Sequence, residues 1–253
     1  MMRGALAGLL IACAGLLARP ALAQEGTPPL PHPGWSFSGP FGTYDRAELQ
    51  RGFLVYQRVC SMCHSMKELY YRNLEEIGLS DEQVKAIAAS VQVPTLDDRG
   101  QPATRPGLPS DHFKSPFPND LAARAANNGA LPPDQSTLEL ARAGGPDYIY
   151  GILTGYQQPP AGMKMQPGMQ YNKYFPGHQI AMPPPLQDNS VSYTDGTKPT
   201  LDQEAHDVTA FLTWASQPEL DRRHAMGIRV VLYLVFLTGL VYAVKRKVWA
   251  DVH

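Results

Sequence analysis

Cys60 and Cys63 stand three positions apart and His64 follows at once, giving Cys60-Ser61-Met62-Cys63-His64. This is the attachment signature of c-type haem. Each thiol can add across one vinyl group of the porphyrin, and two intervening residues let the chain span the ring's edge. The adjoining imidazole is then held over one face, where it can bind the iron. Two other uses of such a pair fit less well. A redox dithiol belongs in a thioredoxin-like βαβ context, which is missing here. A zinc site needs a second ligand pair, and no cysteine follows Cys63. Cys13 lies in the first segment, so both motif thiols are free for haem.

His64 is the expected first axial ligand, and the second decides the chemistry. An open site allows ligand binding or peroxidase-type reactions, as in a haem enzyme or sensor. A thioether closes the iron and makes an electron carrier. The side chains available are Met66, Met163, Met165, Met169, Met182, His112, His178 and His206. Met66 is too close to the motif to cross to the other face. His206 faces outward if Val208 and Phe211 face in. Met163, Met165 and Met169 lie in a loop rich in Gly and Pro. Met182 sits in Ile180-Ala181-Met182-Pro183-Pro184. Proline after the methionine imposes an extended backbone, which suits a strap laid over a haem. Local sequence therefore favours Met182 and leaves the other loop methionines open.

The elements that must position these residues are mostly helical. Asp45 opens a helix whose apolar residues Leu49, Phe53, Tyr56 and Cys60 recur at helical spacing, so the motif ends an amphipathic helix. Ser80 and Gln83 form a capping box for a helix to about Val91, with Leu79 and Val84 as its staple. The stretch from Val93 to Asn119 has little periodicity and is expected to be a loop insertion. Leu121 to Asn127 is a helical turn or two, stopped by Asn127-Asn128-Gly129. A helix is expected from Ser136 to Ala143, closed by Gly144-Gly145, and another opens at Pro146-Asp147 with Tyr148, Ile149, Ile152 and Leu153 on one face. Gln157 to Asp195 is irregular. Thr200 and Gln203 form a second capping box for a helix with the stripe Val208, Phe211, Leu212 and Ala215, expected to pack across the Asp45–Cys60 helix.

The 253 residues carry 24 Pro and 22 Gly, a composition of long irregular connections around one domain. Residues 1–23 have a positive start at Arg3, an apolar run and Ala21-Leu22-Ala23, the pattern of a cleaved signal peptide. Residues 24–221 hold 22 acidic and 14 basic residues, net −8, which excludes a nucleic-acid binder and favours basic partners. Residues 230–244 carry no charge, and the apolar stretch reaches Ala225 if Arg229 snorkels; as a helix 225–244 is about 30 Å long, enough to cross a bilayer. Lys245-Arg246-Lys247 then marks 245–253 as a cytoplasmic tail, leaving the haem domain on the periplasmic side of a bacterial inner membrane.

Several stretches together resemble the cytochrome c1 family. They are Arg51-Gly52-Phe53 through Cys60-Ser61-Met62-Cys63-His64-Ser65-Met66, Ala122 to Asp134, Gly144-Gly145-Pro146-Asp147-Tyr148, Leu153-Thr154-Gly155-Tyr156, Tyr174-Phe175-Pro176-Gly177 and Ala181-Met182-Pro183-Pro184. The resemblance implies a mainly α fold, a c-type haem domain with long irregular loops plus one C-terminal transmembrane helix. It implies one haem held by Cys60 and Cys63, iron ligated by His64 and Met182, and Arg142 paired with a haem propionate. Asn127 and Tyr148 would line the pocket. It also implies an electron-transfer subunit of an oxidoreductase complex, distinct from the quinol-oxidising site. The donor would be a Rieske iron–sulfur protein, the acceptor a soluble or anchored c-type cytochrome, and the neighbour cytochrome b, in a dimeric complex. Relatives carry a long acidic insertion before Arg105-Pro106-Gly107; here that stretch holds only Asp97 and Asp98.

Overall fold

A computed structural model describes residues 28–251, so the expected signal peptide lies outside the described residues. The first helix, α1 (Arg46–Arg58), starts where the Asp45 carboxylate accepts the Ala47 and Glu48 amides at 2.9 and 3.4 Å. That capping satisfies donors the first turn cannot bond internally. Leu49, Phe53 and Tyr56 face inward as their spacing predicts, and all three are buried. The helix tightens into a 3-10 turn at Cys60–Met62, where the amides of Cys63 and His64 both bond to the Cys60 carbonyl at 3.1 and 2.9 Å.

Helix α2 (Asp81–Ala89) has the expected Ser80–Gln83 capping box, bonded in both directions. The next segment differs from expectation. In place of a loop it forms an antiparallel hairpin, β1 (Gln92–Leu96) with β2 (Pro102–Pro106). Asp97 makes the turn by accepting the amides of Arg99 and Gln101, both at 2.8 Å, and Gly100 takes the left-handed conformation. The many prolines hide the strands in the sequence, yet a two-stranded ribbon leaves each strand an unpaired edge that tolerates them.

Helix α3 (Asp120–Ala126) is short, as predicted, and capped by Asn119. The helix expected over Ser136–Ala143 does not form; these residues make irregular turns. Their polar groups are engaged elsewhere: the Gln135 amide bonds to the Ser65 carbonyl, and the Ser136 hydroxyl accepts the Glu68 amide. Helix α4 (Gly145–Thr154) buries Ile149, Ile152 and Leu153, with Tyr148 half-buried. The irregular stretch that follows contains a small hairpin, β3 (Gln170–Tyr171) with β4 (Gln179–Ile180).

Helix α5 (Leu201–Ser216) packs across α1 as the two apolar stripes predict, with Val208, Phe211, Leu212 and Ala215 all buried. The Thr200 hydroxyl caps it, accepting the Gln203 amide at 3.2 Å. The expected capping box is only half made, because the Gln203 side chain donates to Asp207 at 3.0 Å instead. Arg51 on α1 grips the same fully buried carboxylate with two nitrogens, at 2.9 and 3.0 Å. Burial raises the Asp207 pKa, and the hydrogen bonds from Arg51 and Gln203 oppose the rise.

The arm before α1 lacks helix or strand over residues 28–45 but is pinned. Trp35 stacks on His206 at 4.6 Å and its indole N–H donates to Asp147 at 2.8 Å. His206 therefore does not face solvent as expected. Its Nδ1 lies 2.6 Å from Glu48 and its Nε2 lies 3.2 Å from the Gly34 carbonyl. The contact with Glu48 holds the His206 pKa above its ordinary 6.5, against the opposing effect of burial. A raised histidine stabilises the fold fully below about 6.5, and that contribution is lost as pH rises through the folded value. The thermal stability of the parent is thus expected to fall as pH rises across that window. His206→Gln should flatten the slope; an unchanged slope would remove His206 as its cause.

The last helix, α6 (Leu220–Val248), is 29 residues long and exposed along its apolar length, with mean hydropathy 2.0 in its most apolar window. At 1.5 Å per residue it is about 44 Å long, more than a bilayer's hydrocarbon core. It begins earlier than its apolar part, because Tyr44 and His224 tie its first turns to the domain. The Tyr44 amide donates to Asp221 at 3.0 Å, and His224 Nδ1 meets the Gly42 carbonyl at 2.7 Å.

Candidate haem site

Cys60 is buried at the inner side of the motif and Cys63 is exposed, and the two form no disulfide. Burial pushes the Cys60 thiol up to about 12, with Cys63 adding to the effect. A dithiol exchange site needs the opposite shift, toward thiolate near neutral pH. Cys60 is therefore built as a protonated thiol beside an imidazole.

That imidazole is oriented. His64 Nδ1 lies 2.8 Å from the carbonyl oxygen of Pro133, the geometry for an Nδ1–H donor. A carbonyl can only accept, so Nδ1 carries the proton and the Nε2 lone pair is left for a metal. Burial also lowers the His64 pKa, which keeps the ring neutral and ligand-competent. Around it, Asp134 binds both sides of the loop. It accepts the Ser65 hydroxyl at 2.7 Å, the Lys67 amide at 3.0 Å and the Ser136 amide at 2.9 Å. The hydrogen bonds from Ser136 and Ser65 hold its carboxyl below the ordinary range in spite of burial. The motif and the Pro132–Ser136 segment are thus one hydrogen-bonded unit, although they lie some 70 positions apart (69 between His64 and Pro133).

Met182 is half-buried and lies just beyond β4, in a strap of consecutive prolines. Its carbonyl accepts the Tyr156 hydroxyl at 3.0 Å. It makes no polar contact with the motif among the described residues; its strap belongs to the α4 and β3–β4 side of the domain. Met66 is fully buried in the core. His112 lies against the Tyr70 ring at 3.9 Å beside the β1–β2 hairpin, and His206 is held by the arm. His178 stacks on Tyr171 at 5.6 Å.

Arg142 is exposed and makes no ion pair among the described residues; its guanidinium donates only to the neighbouring Ala141 carbonyl, at 3.1 Å. Burial raises the Tyr148 pKa, and the Arg142 charge opposes that rise. Asn127 is occupied differently: its side-chain amide donates to Ala123 at 2.7 Å and closes α3. Pro133 and Asp134 hold the loop around His64 and Tyr156 holds the Met182 carbonyl, and none was singled out by residue type. Proline lacks an amide donor, so the Pro132-Pro133 pair was the one available signal of a carbonyl left for another partner.

A neutral, Nδ1-protonated imidazole, two unpaired thiols three residues apart and a free guanidinium fit a covalently bound haem. Comparison with known proteins agrees. The family model described as "Cytochrome C1 family" matches residues 35–252. The chain belongs to the cytochrome c1 family. It is 46% identical over 263 aligned positions to cytochrome c1 of Rhodospirillum rubrum, covering 97% of this chain and 95% of that protein. It is 46% identical to the mitochondrial cytochrome c1 heme protein of Saccharomyces cerevisiae, over 86% of this chain and 71% of that one. The cytochrome b/c1 of Bradyrhizobium diazoefficiens is 43% identical, but this chain spans only 37% of its length. Membership in the cytochrome c1 family makes the chain a haem electron carrier, with α6 as its one C-terminal membrane-spanning helix among the described residues.

Proposed function

We propose that this chain is the membrane-anchored electron-carrier subunit of a quinol–cytochrome c reductase. Cys60 and Cys63 would hold the haem through thioether bonds, and His64 and Met182 would bind its iron. Arg142 pairs with a propionate, and Asn127 and Tyr148 line the pocket. When bound, the haem supplies a one-electron ferric/ferrous couple. The chain's own part is to fix the imidazole, exclude water and close the sixth position. The observation that carries this reading is the His64–Pro133 hydrogen bond, which sets the tautomer an iron ligand needs.

The donor is a Rieske iron–sulfur protein and the acceptor a soluble or anchored c-type cytochrome, drawn to the acidic domain. Cytochrome b sits beside α6 in a dimeric complex; the Bradyrhizobium protein named cytochrome b/c1 supports that neighbour. Residues 1–23 are removed on export, residues 24–221 lie on the periplasmic side of the inner membrane, and 245–253 lie in the cytoplasm. Purification from membranes tests this reading. Low-spin ferric haem in optical and EPR spectra is expected, together with copurifying cytochrome b and Rieske protein. A high-spin ferric haem would point instead to an open-site haem enzyme or sensor.

A further inference from the structure

The Met182 strap has few means of holding still. Pro183, Pro184 and Pro185 carry no amide hydrogen, so they donate no hydrogen bond to their surroundings. Upstream, β4 pairs with β3 only as far as Ile180; downstream, the next buried side chain is Leu186. Among the described residues one hydrogen bond reaches residues 181–186, and it comes from the Tyr156 hydroxyl to the Met182 carbonyl at 3.0 Å.

Tyr156 is itself fixed. It lies one residue beyond the end of α4 and forms an isolated bridge with Asn172. Gly155, just before it, has no room for a Cβ, which would lie 2.6 Å from the Gly151 carbonyl oxygen and 2.7 Å from the Asn172 side chain. Asn172 is fully buried. Its side chain donates to the Ile152 carbonyl at 2.7 Å and accepts the Tyr174 amide at 3.0 Å, while its own amide bonds to the His178 carbonyl at 3.0 Å. The end of α4 and the β3–β4 hairpin are therefore one rigid piece, and Tyr156 is the point where that piece grips the strap. Burial raises the phenol's pKa, so it stays a donor throughout the working range.

We propose that Tyr156 is a positioning residue for the sixth iron ligand: its hydroxyl holds the Met182 carbonyl and so determines how firmly the thioether stays on iron. This rests on the reading of Met182 as that ligand. Without the hydroxyl the strap gains freedom, and the methionine-off state of the ferric protein gains population roughly 3- to 10-fold, the range one lost hydrogen bond covers.

Full-length holoprotein purified in detergent tests it with three variants: Tyr156→Phe, Met182→Leu and Tyr150→Phe. Tyr150 lies on α4, the helix that precedes Tyr156, but donates to Asp202, away from the strap. The readouts are the near-infrared sulfur-to-iron charge-transfer band, the pH midpoint at which it is lost, and carbon monoxide binding to the ferrous form. Tyr156→Phe should keep the band near neutral pH, lose it about half to one pH unit earlier and gain carbon monoxide binding. Tyr150→Phe should leave all three readouts as in the parent. If Met182→Leu abolishes the band while Tyr156→Phe matches the parent, Met182 is the ligand and Tyr156 does not position it. If Met182→Leu keeps the band, the ligand reading itself fails and the proposal with it. An equal shift in Tyr156→Phe and Tyr150→Phe would reduce the effect to general loosening and overturn the assignment.

Discussion

Met182→Lys is expected to keep the covalent haem and lower its reduction potential by on the order of 0.1–0.4 V, within the roughly 0.8 V that axial ligands span. A thioether is soft and favours ferrous iron, whereas an amine is a harder donor that favours ferric iron. For a one-electron couple about 59 mV is a tenfold change in equilibrium, so a fall of about 0.2 V makes reduction by the same donor some thousandfold less favourable. Redox titration of the purified complex measures this directly, and quinol–cytochrome c turnover should fall with it. Covalent attachment is the internal control, because Cys60 and Cys63 are untouched. A variant with the parent's potential would remove Met182 from the coordination sphere.

Gly52→Val is the second large effect, and it acts on assembly rather than on iron. A Cβ at Gly52 would lie 2.0 Å from the Asp207 carbonyl oxygen, 2.6 Å from its carbonyl carbon and 2.7 Å from the Phe211 Cβ. These are mainly helix backbone atoms, which cannot swing aside as a flexible side chain can. Helices α1 and α5 would have to separate. Separation loosens Leu49, Phe53, Phe211 and Trp214 in the core and strains the Arg51 clamp on buried Asp207. Overpacking costs about 1–3 kcal/mol and a buried charge left without its partner costs about 3–5 more. Either is a large share of a domain's stability. Because α1 ends in the motif, displaced helices also misplace Cys60 and Cys63. Haem-stained membranes should show little mature protein for Gly52→Val and a reduced amount for Gly52→Ala. Parental levels and parental thermal stability in Gly52→Val would contradict the close helix crossing.

Much of the helical scaffold was legible in the residues. Asp45, Ser80 and Thr200 cap their helices where their types and positions indicate, because a cap is a contact within three residues of itself. The stripes of α1 and α5 were legible because burial imposes a helical period on the apolar positions. Where contacts cross long distances in the chain, the same reasoning failed. The stretch Ser136–Ala143 has a helix-like composition, but Ser136 and Gln135 bond to the segment after the motif, and that competition overrides local propensity. The β1–β2 hairpin was obscured by its prolines. His206 looked like a surface residue because the arm that covers it is 170 positions away in sequence and carries no periodic signal.

The amino-acid sequence alone determined the chemistry on offer: two thiols and an imidazole spaced for haem, an apolar segment long enough to anchor, and an acidic stretch ahead of it. Those features are set by residue type and short-range spacing, so no fold is needed to see them. Tertiary structure decided how the groups are held. Only the folded chain brings the Pro133 carbonyl to His64, which fixes the tautomer, and the Tyr156 hydroxyl to the Met182 strap. Only it shows that Gly52 is where two helices touch. Each of these is one directional contact between residues from 26 to more than 150 positions apart. Sequence spacing carries no record of such contacts, because they exist only once the core has closed.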